Sequence, residues 1–411
     1  MRRFTSQSHP ALHPAPLMTQ SIESELSELR ARSLFRRLRE FDSPQQPAMA
    51  TAGTQLVNFS SNDYLGLATE PVLREAARAA IDQYGVGAGA SRLVCGTLAP
   101  HVRLEEKLAE FKRTEAALTF SSGYATALGT LGALAQKDDV IVLDKLSHAS
   151  LIDGAKLSGA VVRVFPHNHL GRLESHLKWA REHYPGARVI VATESVFSMD
   201  GDWASLSEIV EIKNRYGAML LLDEAHAVGV IGQHGRGLAD QIGLSAQIDI
   251  QMGTLSKALG VSGGYVCGGR RLIDLLINRA RSFIYSTAPS PPVAAAAMAA
   301  VEFLMSAAGE RRRQQLRANL TQFAEELPGL LAGGKKIQSA IIPIIIGQAE
   351  AAVEAAQLLA TKGYFVPAIR YPTVARDAAR LRVTLSARHT PGQITGLCAV
   401  LRRMTEAPKR G

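Results

Sequence analysis

The sequence predicts an α/β protein with a mainly parallel central sheet and a smaller α+β domain at its C-terminal end. Three apolar runs are predicted to be buried strands: RVIVATES (188–195), AMLLLDEAH (218–226) and IDIQMGTLS (248–256). Between the first two lies SLSEIVEIKNRYG, whose apolar residues recur at helical spacing and which ends at Gly217. Strands that alternate with helices in this way predict a parallel sheet covered by helices on both faces.

The chain is expected to divide into four stretches of different character. Residues 1–20 contain prolines and no acidic side chain, and are predicted to be a disordered extension. An N-terminal segment (21–62) opens with an amphipathic helical pattern, and residues 63–300 form the large domain. Residues 301–411 form the smaller α+β domain, in which VEFLMSAAGERRRQQLRANL is predicted to be one helix and IIPIIIG and RLRVTLSA to be strands.

Composition and charge exclude several classes of protein. Hydrophobic residues make up 46% of the chain, but a run of about 18 apolar residues is absent, so a transmembrane helix is not expected. The three cysteines lie far apart and lack metal-ligand spacing, which predicts reduced thiols in the cytoplasm and no metal site. The net charge of +9 is spread over the chain, with concentrations at 30–40 and 310–317 that we interpret as solvated helix faces, so neither nucleic acid nor a membrane is a predicted partner.

Polar residues follow the three predicted strands of the large domain at the point where each strand ends. Ligands of parallel sheets bind beyond these carboxyl ends. The residues concerned are, strand by strand, Glu194 and Ser198, Asp223 and His226, and Thr254 and Lys257. Asp223 directly follows the apolar run AMLLL, where burial of an unpaired carboxylate is costly, so we expect a cation beside it.

A protonated pyridine nitrogen is such a cation, and pyridoxal phosphate requires the other groups as well. It needs a lysine for covalent attachment, a carboxylate for its ring nitrogen, donors for its phosphate and usually a ring stacked on its face. Lys257 and Asp223 supply the first two, and His148 in DKLSHASL is a candidate for the stacked ring. In FSSGYATALG, Gly123 and Tyr124 stand at a predicted helix start, where free N–H groups favour a phosphate.

Seven segments together resemble the α-oxoamine synthases, pyridoxal-phosphate enzymes of fold type I that condense an amino acid with an acyl thioester. These segments are NFSSNDYLGLA, FSSGYATALGTL, DKLSHASLIDGAKLSGA, ESVFSMDGDWASL, LLLDEAHAVGVIGQHGRG, GTLSKALGVSGGY and FIYSTAPSPP, and the match extends over roughly residues 25–405. Within the family, AIRYPTVARDAARLRVTLSARHT is most similar to the branch that joins L-alanine to a pimeloyl thioester. Two residues depart from that branch: Tyr371 stands where it usually has proline, and Arg92 has no counterpart there.

The resemblance implies catalytic roles for four residues of the large, cofactor-binding domain. Lys257 would hold pyridoxal 5'-phosphate covalently and later remove the α-proton of the amino acid. Asp223 would keep the pyridine nitrogen protonated, and His226 would hydrogen-bond the ring oxygen. His148 would stack on the ring and assist protonation.

The resemblance also implies a set of binding residues and a homodimer. Gly123, Tyr124, Ser198 and Thr254 would fix the cofactor, and Ser286 or Thr287 would reach the phosphate in a neighbouring subunit. The groups expected to grip substrate carboxylates are Arg39, Arg370 and Thr373.

Two alternatives to this interpretation are kept. One is 2-amino-3-ketobutyrate CoA ligase, which uses glycine and acetyl-CoA and whose acyl group has no distal carboxylate for Arg370, or another α-oxoamine synthase. The other is a catalytically silent cofactor-binding protein with an RNA-binding or partner-binding basic surface, against which intact Lys257 and Asp223 argue. The carrier of the acyl group, coenzyme A or an acyl carrier protein, stays open. The string DEAH does not indicate a helicase, because GVGAGAS is not followed by the G-K-[ST] of a phosphate loop.

Overall fold

The computed structural model describes residues 16–329 and 336–406. The strands of this part of the chain are β1 (Ala48–Thr51), β2 (Thr54–Asn58), β3 (Ala116–Phe120), β4 (Val140–Asp144), β5 (Val161–Phe165), β6 (Val189–Glu194), β7 (Met219–Asp223), β8 (Ile250–Thr254), β9 (Gly264–Gly268), β10 (Ile341–Gly347), β11 (Tyr364–Phe365), β12 (Ala368–Ile369) and β13 (Ala379–Thr384). The helices are α1 (Pro16–Ala31), α2 (Pro71–Tyr84), α3 (Ala99–Lys112), α4 (Gly123–Leu134), α5 (Ala149–Ser158), α6 (Leu170–His183), α7 (Leu206–Arg215), α8 (Leu238–Gln241), α9 (Arg270–Arg279), α10 (Arg281–Ile284), α11 (Pro291–Met305), α12 (Ala307–Glu326), α13 (Ala349–Thr361) and α14 (Pro391–Glu406).

A seven-stranded sheet in the order β3-β9-β8-β7-β6-β4-β5 forms the centre of the large domain. Strands β5, β4, β6, β7 and β8 run parallel, and only β9 is antiparallel to its neighbours β3 and β8. Helices α5, α6 and α7 connect successive parallel strands. The predicted α/β class with a mainly parallel sheet is confirmed, and the three predicted strands are β6, β7 and β8.

The two faces of this sheet are buried against different helices. Val140 and Val142 of β4 belong to an apolar cluster with residues of α6 and α7, whereas Ile141 and Leu143 belong to a cluster with residues of α4, α5 and α9. Successive side chains of a strand point to opposite faces, so a strand covered on both sides is apolar at every position. Burying each of these side chains stabilises the fold by about 1.5–3 kcal/mol, and the resulting rigidity fixes the strand ends.

The helix predicted across residues 301–320 was wrong, because two helices occupy this stretch. Helix α11 ends at Met305, α12 begins at Ala307, and their axes differ by 74°. Ser306 makes the break, since its hydroxyl accepts a hydrogen bond from the Gly309 N–H and caps α12. Among the described helices no single one is long and apolar enough to cross a membrane, although this bent pair meets the criteria of length and composition together.

The N-terminal segment joins the C-terminal region in a small sheet of its own. Strand β2 pairs antiparallel with β1 and parallel with β11, so residues near 57 lie beside Tyr364. A second three-stranded sheet has the order β10-β13-β12. Helix α1 begins at Pro16, inside the stretch predicted to be disordered; residues 1–15 lie outside the described part of the chain.

A loop after β6, residues 195–205, connects the central sheet to the C-terminal region. Ser339 donates to the Gly201 carbonyl at 2.8 Å, and Arg380 donates to Asp200 at 2.7 Å. On the other side of the loop, His167 lies between Asp144, at 3.1 Å, and Asp202, at 3.0 Å. Burial favours the neutral ring, but the two carboxylates outweigh it and raise the pKa of His167 to about 9.

We expect the His167 contacts to make stability fall in a defined pH range. A folded pKa above the unfolded value means that this stabilisation is complete below about 6.5 and is lost as the pH rises through about 9. The loss should reach about 3 kcal/mol at most. Urea unfolding of the wild type and of His167→Gln at a series of pH values and constant ionic strength measures this loss. The free energy of unfolding of the wild type should fall toward that of the variant above pH 7. A difference between the two proteins that does not change with pH would contradict the expectation.

Candidate active site

Three strand ends meet at one edge of the central sheet and close a cavity of about 240 Å³. Glu194 of β6 is the register partner of Asp223 of β7, and Asp223 in turn pairs with Met252 of β8. Lys257 follows the end of β8 by three residues. The cavity is lined by Ser122, Gly123, Tyr124, His148, Ser150, Glu194, Asp223, Ala225, Met252, Gly253, Thr254, Ser256 and Lys257.

Two neighbouring carboxyl groups form the floor of the cavity and differ in their surroundings. Asp223 is 5% exposed and accepts a hydrogen bond from the Ala225 N–H at 2.9 Å; burial raises its pKa, and the charge of Lys257 opposes that shift. Burial, and then the charge of Asp223, raise the pKa of Glu194 to about 8. At neutral pH Glu194 is therefore mostly a carboxylic acid, while Lys257 and the Ala225 N–H favour the charged form of Asp223.

The Lys257 amine lies 2.9 Å from Nε2 of His226. Burial lowers the pKa of Lys257, although Asp223 and Glu194 act in the opposite direction. Burial and the charge of Lys257 hold the pKa of His226 well below its ordinary value, so this ring is neutral. A lysine with a lowered pKa supplies a free amine, the form that attacks a carbonyl carbon and takes up a proton.

His148 stands at the start of α5, on the wall of the same cavity. Its Nδ1 faces the Ser150 hydroxyl at 2.8 Å and the Ser150 N–H at 3.2 Å, so the ring is held at a fixed place. Burial and the charge of Lys257 lower the pKa of His148, while Asp223 raises it. The neutral form of the ring, which can take up a proton, is therefore favoured.

The opposite end of the cavity is the N-terminus of α4. The Ser122 hydroxyl caps this helix by accepting from the Ala125 N–H at 3.0 Å, and the first N–H groups, those of Gly123 and Tyr124, have no carbonyl within the helix to bond. Hydroxyls of Thr254 and Ser256 lie 2.7 Å apart beside them. Free N–H groups and hydroxyls at a helix N-terminus are the donors that a phosphate takes.

These groups fit pyridoxal phosphate. The cavity is lined by an amine, by a carboxylate and by a phosphate-type donor set. The buried oxygen Oε1 of Glu194 has no hydrogen-bond partner within residues 16–329 and 336–406, as expected where a further polar group belongs. The residues that would hold the cofactor are Lys257, Asp223 and His226 at the ring, His148 beside it, and Gly123, Tyr124, Thr254 and Ser256 at the phosphate.

Ser198 lies beside the cavity, and its contacts reveal an arginine that sequence reasoning missed. Its N–H donates to Glu194 at 3.2 Å, and its carbonyl accepts from Nε of Arg382 at 2.8 Å. Arg382 is 6% exposed, and its charge lowers the pKa of both Lys257 and His226. The signal was present in RLRVTLSA, where Arg380, Arg382 and Thr384 alternate with apolar residues on one face of β13.

The structure does not bring Arg39, Arg370 and Thr373 to the wall of this cavity. Arg370 donates to the Ser33 carbonyl, and the Thr373 N–H donates to the Arg370 carbonyl at 3.0 Å. Arg39 lies 5.2 Å from the ring centre of Phe365, which lines a neighbouring cavity of about 440 Å³. That second cavity also contains Ser256, so the two are adjacent.

The segment with Ser286 and Thr287 lies at the surface, away from this chain's own cavity lining. Thr287 forms a β-bridge with Ser91, next to Arg92. Arg92 is one of the two residues that depart from the expected branch. It is buried and forms a structural ion pair with Glu105 at 2.8 Å. Breaking such a buried pair is destabilising, which accounts for an arginine at this position.

Comparison with known proteins agrees with this arrangement. The aminotransferase class I and II family matches residues 54–401. The chain belongs to this family. An 8-amino-7-oxononanoate synthase from Geobacter sulfurreducens is 44% identical over 94% of this chain and 98% of its own length. The family's fold and its dependence on pyridoxal phosphate are therefore those of this chain, as predicted.

Solved structures give the same result. A serine palmitoyltransferase from S. paucimobilis with bound PLP and myriocin superposes with a TM-score of 0.89 at 29% identity, over 96% of this chain and 99% of the other. An 8-amino-7-oxononanoate synthase from Francisella tularensis gives a TM-score of 0.71 at 30% identity, over 85% and 99%. The predicted fold type is confirmed, and so is the resemblance to the α-oxoamine synthases.

Proposed function

We propose that this chain is an 8-amino-7-oxononanoate synthase, which joins L-alanine to a pimeloyl thioester in biotin synthesis. The observation that carries the proposal is the identity to the Geobacter enzyme along nearly the whole chain. In the reaction a carbon–carbon bond forms between the alanine α-carbon and the acyl carbonyl, the carbon–sulfur bond breaks and releases the thiol, and the α-carboxylate leaves as CO₂. The glycine and acetyl-CoA alternative is not favoured by these relatives.

The cavity side chains divide the chemistry between them. When bound, pyridoxal phosphate supplies a carbonyl carbon that takes up an amine and a ring that accepts electrons from the α-carbon. Lys257 takes the α-proton at its Nζ, and His148, which lines the same cavity, returns a proton. Asp223 keeps its negative charge against the ring nitrogen, because Glu194 beside it holds the proton of the pair.

Arg382 is proposed to bind the α-carboxylate of alanine. Its guanidinium is buried next to Ser198, on the side of the cavity where Lys257 and His226 respond to its charge. A buried guanidinium that meets only neutral acceptors is well suited to an incoming carboxylate. It would release the carboxylate as CO₂ once the new carbon–carbon bond has formed.

Arg370 is proposed to bind the distal carboxylate of the pimeloyl chain, together with Arg39 and Thr373. Burial and the charge of Arg36 both lower the pKa of Arg370. The guanidinium groups of Arg370 and Arg36 lie close together. Both donate to backbone carbonyls, of Ser33 and Tyr371, and neither forms an ion pair with another described residue. Uncompensated positive charge favours a carboxylate.

Substitution of Arg370 tests the acyl group. We expect Arg370→Ala to lower kcat/KM for a pimeloyl thioester by a factor of about thirty, which corresponds to about 2 kcal/mol. The reason is that the distal carboxylate loses its half-buried guanidinium partner. A neutral acyl thioester of equal length should be affected far less. Steady-state assays with both donors measure the difference, with Arg376→Ala, an exposed arginine of the same loop, as the control. Equal losses with both donors would contradict this role and weaken the pimeloyl assignment.

A homodimer and a cytoplasmic location belong to the same proposal. Four large apolar side chains are more than half exposed around the Ser91–Thr287 bridge, as expected of a surface that a second subunit covers: Val86, Leu93, Val94 and Tyr285. Ser286 or Thr287 would then reach the partner's phosphate site. The free cysteines support a reducing compartment. Coenzyme A and an acyl carrier protein are equally compatible as donors.

A further inference from the structure

Two segments that carry residues of the candidate active site meet at the carboxyl group of Glu194. The first is the turn 144–148, which begins at the last residue of β4 and ends at His148. The second is the loop 195–205, which contains Ser198. The backbone N–H groups of His148 and Ser198 both oppose the rise in the pKa of Glu194, so both point toward its carboxyl group. This contact joins the inner ends of the two segments.

Each segment is held by hydrogen bonds of its own between the inner end and an outer aspartate. In the turn, the Leu146 N–H donates to the side chain of Asp144 at 2.8 Å, and the Ser147 N–H donates to the Asp144 carbonyl at 3.1 Å. In the loop, the Phe197 N–H donates to the Asp202 carbonyl at 3.0 Å. A displacement of either aspartate therefore moves the end of its segment that faces the cavity.

His167 joins the two outer ends. Its Nδ1 lies 3.1 Å from Asp144, and its Nε2 lies 3.0 Å from Asp202. Because a carboxylate only accepts hydrogen bonds, both ring nitrogens donate and the side chain is an imidazolium. The same ring contacts Phe197 edge-on, with 4.3 Å between the ring centres. The two segments are therefore connected twice, by Glu194 at their inner ends and by His167 at their outer ends.

We propose that His167 is a positioning residue, whose imidazolium clasps Asp144 and Asp202 and thereby holds His148 and Ser198 at a fixed separation across the edge of the cavity. The inference rests on the proposed function, because it assigns to this clasp the placement of the His148 ring beside the cofactor. Loss of one proton from His167 would leave one of the two carboxylates without a donor. The clasp should therefore open as the pH rises, although it lies outside the cavity lining.

Hydrogen exchange of the full chain without cofactor, measured by mass spectrometry at pH 6, tests the double connection. In His167→Phe the side chain keeps a ring but donates to neither aspartate. We expect the amides of the turn 144–148 and of the loop 195–205 both to exchange at least about fivefold faster, while those of β4 and β6 keep their wild-type protection. Faster exchange in only one segment, in neither segment, or throughout the sheet would overturn the proposal.

Two aspartates of the same loop provide matched variants. Asp200 accepts from Arg380 at 2.7 Å, so Asp200→Asn should speed exchange in the loop but not in the turn 144–148. Asp202→Asn keeps an oxygen for Nε2 of His167 but removes its charge, so the pKa of His167, followed by NMR of its Cε1–H, should fall by about 1–2 units. Both segments should lose protection at a correspondingly lower pH than in the wild type. An unchanged pKa, or a turn that loosens in Asp200→Asn, would contradict the proposal.

The affinity for pyridoxal phosphate supplies a pH profile that does not depend on turnover. The ratio of the dissociation constants of His167→Phe and the wild type cancels the titrations of Lys257, Glu194 and the cofactor, which both proteins share. We expect this ratio to be about 3–10 below pH 7, as for one lost hydrogen bond. It should fall toward one as the pH passes about 9, the pKa that Asp144 and Asp202 give to His167. A ratio that does not change with pH would overturn the proposal, whereas failed condensation with this profile intact would contradict only the proposed function.

Discussion

Lys257→Ala is expected to abolish condensation while leaving the fold intact. The substitution removes the amine that holds the cofactor and takes the α-proton, so turnover should fall by about 10⁴-fold or more. The fold should persist because Lys257 lies in the loop after β8, and within the described part of the chain its one side-chain hydrogen bond is to His226. Release of the thiol measures condensation, and the visible absorbance of bound cofactor measures its attachment. Far-ultraviolet circular dichroism measures whether the fold is intact.

The control is Lys156→Ala, at an exposed lysine in the last turn of α5. It removes the same charge and the same methylene groups without touching the cavity. Its turnover, cofactor absorbance and circular dichroism should match those of the wild type. Condensation that persists in Lys257→Ala would end the assignment of this lysine, and with it the mechanism.

Asp223→Asn is expected to have the second largest effect. The amide has the shape of the carboxylate but no charge, so the ring nitrogen loses the anion that keeps it protonated, and Lys257 loses a group that raises its pKa. Breaking a buried charge pair costs about 3–5 kcal/mol, which predicts a loss in kcat/KM of about 150-fold to about 4,000-fold. Steady-state assays with alanine measure it.

The neighbouring acid provides a matched comparison. Glu194→Gln also replaces a buried carboxyl group by an amide, but Glu194 is already neutral at pH 7 because its pKa is about 8. The loss of kcat/KM in Glu194→Gln at pH 7 should therefore be smaller than about tenfold. The difference in kcat/KM between this variant and the wild type should grow above pH 8. Equal losses in the two variants at pH 7 would mean that the negative charge is not confined to Asp223.

The parts of the molecule that the sequence predicted are those with a local signal. Strands β6, β7 and β8 are short apolar runs, and each ends in a polar residue, so Asp223 and Lys257 were found without knowledge of the pairing. The start of α4 was predicted at Gly123 and Tyr124 of FSSGYATALG, and the helix begins at Gly123. Each of these signals is formed by residues that lie within a few positions of one another in the sequence.

The parts that were missed depend on contacts between distant segments. Arg382 reaches the site only because β13 passes beside Ser198, which is nearly two hundred residues earlier in the chain. The pairing of β2 with β11 likewise has no signature in either strand alone. The break at Ser306 was missed for a different reason, since apolar spacing continues across it and only the capping hydroxyl interrupts the helix.

The contact between Arg382 and Ser198 also bears on how the site forms during synthesis. The ribosome releases Ser198 first, Lys257 later, and Arg382 last of the three. Contacts between such distant segments close late, because the entropy of a long loop must be overcome first. A nascent chain that already contains Lys257 therefore still lacks the buried guanidinium beside Ser198, which arrives only with β13 of the C-terminal region.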